Sequence, residues 1–410
     1  MTDRNMQHKR PLATLTVLAA ALLLAGCASA PREPAAGTYP LPTPAMQAIV
    51  DKDTSRFFGD APADGGPLAT DLSPALTPEA IDKAMRKVAD WQLERTQKHL
   101  DRIWTSAVLF TGFMAASEAS GDPRYRNAML DMAKQFNWDL RSPYPNADDI
   151  SVAQTYLELY FHDSDPARIA PAKATLETLL PLQTLRPGDA RIPWWWCDAL
   201  FMAPPVWAKM YKATGDRKYL DYVHQQWQRT YELLYDKEEH LYARDASYIP
   251  KREANGKKIF WSRGEGWVMG GLARTIDFIP QDDPHRPFYI QQLRDMSARV
   301  AALQGKNGLW HAGLLDPEAW PLPEISGSAL FVYGMAYGVN RGYLDAATYK
   351  PVIERAWAGI LQHVYADGRL GGIQQTGAEP AFYRPASSFN YGVGGFLLAA
   401  AELRKMAANK

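Results

Sequence analysis

The segments Gly121-Asp122-Pro123-Arg124-Tyr125 and Gly215-Asp216-Arg217-Lys218-Tyr219 share one pattern. Each offers a glycine able to end a helix, an aspartate able to cap the next one, and an aromatic one turn on. Each reads as the tight joint of two helices. Working outward by caps and by apolar residues spaced three and four apart, helices are predicted near 78–95, 103–119, 123–138, 149–161, 166–184 and 198–214. Six more are predicted near 216–235, 263–278, 286–304, 325–341, 345–365 and 389–407. The first is representative: Thr77 is the cap, Pro78 and Glu79 fill the first turn, and Ile81, Met85, Val88 and Gln92 form one face. Pro204-Pro205 should interrupt the sixth. Convincing strand alternation is absent. The expectation is an all-α chain, and twelve helices in recurring hairpins suggest a closed (α/α)6 barrel rather than one bundle.

Loop lengths then locate the chemistry. Connections from even to odd helices are short, at 120–122, 215 and 342–344. Those from odd to even are mostly long, at 139–148, 185–197, 236–262, 305–324 and 366–388. If helices alternate in direction, the long loops emerge at one end, where long loops on a rigid scaffold usually carry function.

Those loops hold the unusual residues. Asn146-Ala147-Asp148-Asp149 precedes a helix, where acids favour the positive end of the dipole. Pro193-Trp194-Trp195-Trp196-Cys197-Asp198 sets one carboxylate beside three tryptophans. Aromatic walls would desolvate Asp198, raise its pKa and keep it protonated as a general acid requires. A plain helix cap with packed tryptophans accounts for the same residues equally well. The third loop carries His240, Arg244 and Asp245, then Trp261-Ser262-Arg263-Gly264-Glu265-Gly266-Trp267. Its glycines allow close backbone approach, and Arg263 could fork onto a carboxylate. The fourth holds Trp310-His311 and Glu324-Ile325-Ser326-Gly327-Ser328-Ala329. A lone histidine such as His311 is more often structural than catalytic.

Composition narrows the classes of function. Forty-five basic and 45 acidic residues give a formal net charge of zero, so the electrostatic footprint of a nucleic-acid binder is missing. Thirteen Trp, 20 Tyr and 14 Phe suit the flat apolar surfaces of a sugar cleft. G-x-S-x-G, H-E-x-x-H, Cys-x-x-Cys and the phosphate-loop pattern are all absent, which argues against a serine elbow, a zinc motif and a nucleotide site. No cofactor and no metal are expected. What survives is a carboxylate and aromatic site with one or two arginines, suited to an acidic sugar.

Trp196-Cys197-Asp198-Ala199-Leu200-Phe201-Met202-Ala203 resembles the W-x-D-G/A-L-Y/F-M-A segment of unsaturated rhamnogalacturonyl hydrolases, glycoside hydrolase family 105. Trp261 to Trp267 is similar to that family's W-x-R-x-x-G-W, and Glu324 to Ala329 to its E-x-S-[GA]-S-A. The three motifs fall in order, and the likeness spans 77 to 407. It implies an (α/α)6 barrel and hydration of the C4=C5 bond of a terminal unsaturated uronate. It also implies Asp198 as the catalytic acid, Asp149 as the second aspartate with Asp148 close behind, and Trp261 and Arg263 as substrate-binding residues. Trp196 would stack on a ring, Trp195 would narrow the cleft or meet the leaving sugar, and His311 and Ser326 complete the candidate substrate contacts. Where some members have a histidine, this chain reads Tyr242-Ala243-Arg244-Asp245. Arg244 would therefore alter contacts to either sugar, which puts a preference for rhamnose in question.

The N-terminus reads as targeting. Arg4, Lys9 and Arg10 precede an apolar run from Leu12 to Leu24, and Leu24-Ala25-Gly26-Cys27 resembles a bacterial lipobox. The run is short for a membrane span. The expected division is a signal peptide over 1–26, a disordered Pro/Gly-rich tether and coil over 27–75, and the hydrolase domain over 76–410. Cys27 would be lipidated, and Ala28 after it points to the outer membrane of a Gram-negative bacterium. Cys197 is then left without a disulfide partner. The expected partners are an unsaturated oligosaccharide and, through the lipid alone, the membrane, with the protein a monomer or homodimer. Two rival readings are a polysaccharide lyase or epimerase on the same scaffold, with Tyr248 and His240 as candidate bases, and a non-catalytic glycan-binding lipoprotein.

Overall fold

The computed structural model describes residues 66–141, 146–185 and 188–408. Cys27, the signal segment and the tether up to residue 65 lie outside the described residues. Twelve helices of ten or more residues are present among those described: α1 (Pro78–Thr96), α2 (Trp104–Ser120), α3 (Pro123–Gln135), α4 (Ala153–Asp163), α5 (Ala170–Leu179) and α6 (Pro204–Thr214). They continue as α7 (Arg217–Leu234), α8 (Ser262–Thr275), α9 (Arg286–Ala302), α10 (Ile325–Asn340), α11 (Ala346–Leu361) and α12 (Asn390–Ala408). The even-numbered helices close a ring: α2 packs on α4, α4 on α6, α6 on α8, α8 on α10, α10 on α12, and α12 on α2. Odd helices lie outside them. This is the (α/α)6 barrel expected from the joints.

The two layers have different sequences because they meet different surroundings. All of α8 is buried, as is α10 from Ile325 to Gly338. Outer α7 buries one face, including Tyr219, Leu220, Val223, Trp227 and Leu234. Each large apolar side chain so buried contributes roughly 1.5–3 kcal/mol. Inner backbones approach closely: a Cβ on Gly112 of α2 would sit 2.9 Å from the Cα of Gly394 in α12.

The joints behave as their residues dictate. Gly121 and Gly215 take φ of 68° and 72°, the left-handed region that glycine enters without a Cβ clash. Asp122 accepts from the Arg124 N–H at 3.0 Å and Asp216 from Lys218 at 3.2 Å. The aromatics do more than pack. Tyr125 donates its hydroxyl to Asp90 of α1, and Tyr219 to Glu177 of α5, so each links neighbouring outer helices.

Two expectations need revision and one is met. The helix expected over 149–161 is two, a single turn at Ala147–Ile150 and then α4. The helix expected over 198–214 is interrupted where Pro204-Pro205 predicts, as a turn at Ala199–Met202 followed by α6. Residues 66–75, read as loose coil, are seated on the barrel: Ala69 donates to Val364 O at 2.8 Å and Ala366 to Pro67 O at 2.9 Å. A two-residue ladder, β1 (Tyr235–Asp236) against β2 (Leu241–Tyr242), folds the loop after α7 back toward the ring.

Candidate active site

The proposed acids lie at single helical turns at the long-loop end, Asp148 and Asp149 within one and Asp198 just before another. Asn146 caps the Ala147–Ile150 turn, accepting from Asp148 N–H at 3.1 Å. The side chain of Asp198 makes no capping bond to the Ala199–Met202 turn it precedes. The capping explanation is thereby removed for Asp198, while Asp148 and Asp149 do lie in the first turn of their helix. The Asp198 turn is held from behind: Gln154 donates to the carbonyls of Phe201 and Met202 at 2.9 and 3.3 Å. A Cβ at Gly271 of α8 would lie 2.0 Å from Leu200 O, so only glycine fits there.

Loops two and three meet at the acid. Cys197 N–H donates to Arg244 O at 2.9 Å and Trp196 bridges Asp245, which brings Arg244 beside Asp198. Arg244 Nε lies 3.6 Å from Asp198 Oδ2. Trp195, half-buried, has the Arg191 and Arg244 guanidinium carbons 5.0 and 5.5 Å from its ring centroid. Trp196 is buried against it at 5.0 Å. Asp198 is only 8% exposed, and burial raises its carboxyl, opposed by the Arg244 charge. Asp148 is pushed up to about 7 by burial, then by the charges of Asp198 and Asp149. A buried acid raised to about 7 beside other carboxylates can hold a proton at neutral pH. Asp149 differs: it is buried and paired with Arg141 at 2.7 Å.

Several candidate contacts are spent inside the protein. Arg263 is fully buried and donates to the carbonyls of Gln374 and Gln375 at 2.9 and 2.7 Å, with its carbon 4.2 Å from the Trp261 ring centre. Trp261 donates its indole N–H to Gln374 Oε1 at 2.9 Å. Ser326 donates to Glu324, whose carboxylate also accepts from Gly327 and Gln374 N–H groups at 2.6 and 3.0 Å. His311, its pKa lowered by burial, binds Trp320 O through Nδ1. Together these knot the loop before α12 onto the starts of α8 and α10. Both Nη atoms of Arg263 are thereby used within the protein.

Sequence reasoning did not single out Glu265. Its carboxyl is fully buried, accepts only the Tyr242 N–H at 3.0 Å, and is pushed well up by burial. It lies in the same cluster as Asp198 and Cys197, both of which feel its charge or exert theirs on it. The Arg-Gly-Glu-Gly run was a visible signal, but nothing in its spacing distinguishes a buried neutral acid from a surface one.

A cavity of about 690 Å³ at the opposite, short-loop end is a poor alternative. Most of its charges are paired with one another: Glu158 with Lys209 and Arg274, Asp277 with Arg341, Glu402 with Lys405.

A family model described as Glycosyl Hydrolase Family 88 matches residues 78–407. An unsaturated 3S-rhamnoglycuronyl hydrolase of Formosa agariphila is 38% identical over 347 residues, covering 81% of this chain and 92% of that protein. A solved glycosyl hydrolase family 88 structure from Bacteroides vulgatus superposes with a TM-score of 0.75 at 34% identity, over 80% of this chain and 99% of that one. A second solved structure, described as a polysaccharide lyase, gives a TM-score of 0.75 at 31% identity over 81% and 99%. With paired buried acids at the loop end of a closed barrel, and a family match across nearly all of that barrel, the chain belongs to glycosyl hydrolase family 88 and is a glycosidase.

Proposed function

We propose that this enzyme hydrolyses oligosaccharides ending in a Δ4,5-unsaturated uronic acid, with Asp198 and Asp148 as its reacting pair. The carrying observation is that both carboxyls are raised by burial while Arg244 sits beside Asp198 with Nε unspent. Asp198 gives its proton to C4 of the vinyl ether. The cation that develops at C5 is then met by water, whose proton returns to the carboxylate pair. The resulting C5 hemiketal opens to a ketone, leaving C1 as a hemiacetal that carries the neighbouring sugar. Its collapse releases that sugar and a 4-deoxy-5-keto-uronate. Acid–base help of this kind is worth about 10² to 10⁴ in rate. Asp148, rather than Asp149, is assigned the second role because Asp149 already neutralises Arg141.

The neighbouring sugar is proposed to be a rhamnose, on the strength of the relative's name. Lipidation at Cys27 is proposed from the Leu-Ala-Gly-Cys run alone, and an outer-membrane location from Ala28 after it. No helix among the described residues is long and apolar enough to cross a membrane.

The lyase reading draws on the solved structure of that description. It needs a base, and burial raises Tyr248 instead of easing its ionisation. His240 is turned to the Tyr235 hydroxyl at 2.9 Å. Ultraviolet absorbance of the conjugated uronate separates the readings. A hydrolase bleaches lyase-made disaccharides and loses that ability in Asp198→Asn; a lyase raises the band on intact polymer; a binder leaves a flat trace.

A further inference from the structure

We propose that His224, Asp283 and His285 form a binding site for a divalent transition cation of the zinc class, on the outer layer of the barrel at the end opposite the proposed active site. His224 belongs to α7, and Asp283 and His285 to the turn that leads into α9. One ligand atom from each lies within 4.8 Å of the other two. His224 Nε2 is 3.4 Å from Asp283 Oδ1, and the two imidazole centres are 4.3 Å apart. Zinc bonds of about 2.0–2.1 Å in a tetrahedron place ligand atoms about 3.3 Å apart, so the first pair already has the spacing and exposed His285 needs a small swing.

The state of His224 Nε2 is the second observation. His224 is 8% exposed, and apart from the 3.4 Å approach of Asp283 Oδ1, itself a proposed ligand, its buried Nε2 has no hydrogen-bond partner. Its Nδ1 lies 2.8 Å from the Tyr289 hydroxyl. With the ring proton on Nδ1 and donated to Tyr289, the Nε2 lone pair faces the cluster, which is the arrangement metal-binding histidines use. Asp283 is oriented by the same logic. Its Oδ1 accepts from His285 N–H at 2.8 Å, while Oδ2 lies 2.6 Å from Arg217 Nη2. Arg217 also pairs with Asp221 at 2.9 Å, so its charge is shared and Oδ1 stays available.

The donor set fixes the class of ion. Two imidazoles and one carboxylate suit zinc, nickel or copper over magnesium or calcium, which prefer oxygen alone. A shallow groove formed by Gln225, Gln228, Phe288 and Tyr289 leaves the remaining coordination positions to water. The ion would clamp α7 to the start of α9. It would not take part in the chemistry: α8 starts beside Cys197 and rises about 21 Å before the turn at Ile276–Phe278 that leads to Asp283.

Zinc chloride alone is the probe. Untagged wild-type protein, stripped with chelator and dialysed, is titrated against a chromophoric competitor beside His285→Ala and His285→Ala/His224→Gln. We expect one more zinc equivalent in the wild type than in the double variant, at least tenfold weaker binding in His285→Ala, and unchanged hydrolysis in both variants. Zinc should raise the Tm of the wild type and leave that of His285→Ala unmoved. His285 is exposed, so the single variant stays folded and is decisive by itself. Equal zinc affinity and stoichiometry in wild type and His285→Ala would overturn the site, as would displacement of the zinc by an equal concentration of magnesium.

Discussion

Arg244 reaches two aspartates with different atoms: Nε lies 3.6 Å from Asp198 Oδ2, and Nη1 donates to Asp245 Oδ2 at 2.8 Å. Asp245 is itself fixed by the N–H and hydroxyl of Ser247 at 2.9 and 2.6 Å. The guanidinium is therefore aimed, with its position set by a partner on the far side from the acid. Its charge opposes the desolvation that raises both Asp198 and Asp148.

Removing that charge should move the pH profile upward. In Arg244→Ala both acids lose a stabilising cation in their ionised forms, so their pKa values rise further and the optimum shifts to higher pH. At neutral pH kcat/KM should fall about tenfold to a hundredfold. Arg244→Lys keeps the charge and loses the fork, so it should hold the optimum while raising KM. A complete pH–rate profile of each variant on several unsaturated disaccharides checks this; an optimum unmoved in Arg244→Ala would refute it.

Asp148→Asn and Asp149→Asn should separate cleanly. The first removes the raised partner of Asp198 and should lower kcat by about 10² to 10⁴ with the fold intact. The second breaks a pair with Arg141, which is half exposed, so after solvent screening the loss is about 1 kcal/mol or less of stability. Its effect on kcat should be tenfold or smaller, acting through the tilt of the Ala147–Ile150 turn. Parallel kcat and Tm measurements decide, and a larger loss of kcat in Asp149→Asn would reverse the assignment.

What could be read from the residues alone divides along physical lines. Joints such as Gly121-Asp122 and Gly215-Asp216 are local: φ, cap and aromatic are set within five residues, so helix number, order and the barrel were legible. Asp198 was legible as a candidate because its aromatic neighbours adjoin it in sequence. Arg263 was not legible in its role, because the carbonyls it binds come from Gln374 and Gln375, on a different loop. The same holds for Asp148 against Asp149. Adjacent residues on one helical turn point about 100° apart, and only tertiary packing decides which meets Asp198 and which meets Arg141.

Arg263 should behave as an anchor of the site floor. It shares a dry knot with Glu324, 3.6 Å away, and with the carbonyls of the loop before α12. Taking one charge from a buried pair strands the other, at about 3–5 kcal/mol. Arg263→Ala and Glu324→Ala should each lower Tm by several degrees, and the double variant should be much less than additive. Thermal unfolding of the three proteins measures it. Unchanged stability in Arg263→Ala with a raised KM would return this arginine to direct substrate contact.

The last expectation concerns stability rather than rate. Asp148 has a folded-state pKa of about 7 against an ordinary 3.8. Between those values the folded protein binds more protons than the unfolded chain, so this group makes stability fall as pH rises from about 4 to about 7. The sign is opposite to that of a salt-bridged carboxylate, whose contribution is lost on acidification. Ionised Asp148 is thus a burden that the folded state carries at neutral and higher pH, held in place by the same burial that gives the acid its proton. Asparagine cannot ionise and is nearly isosteric. Asp148→Asn should therefore match the wild type near pH 4 and exceed it by an upper limit of about 4 kcal/mol at pH 8, at 1.4 kcal/mol per pKa unit. Chemical denaturation across that range reads the difference directly. A gap that stays constant with pH, or that opens toward acid, would show that Asp148 is ionised throughout and would remove it as a proton carrier in the proposed hydration.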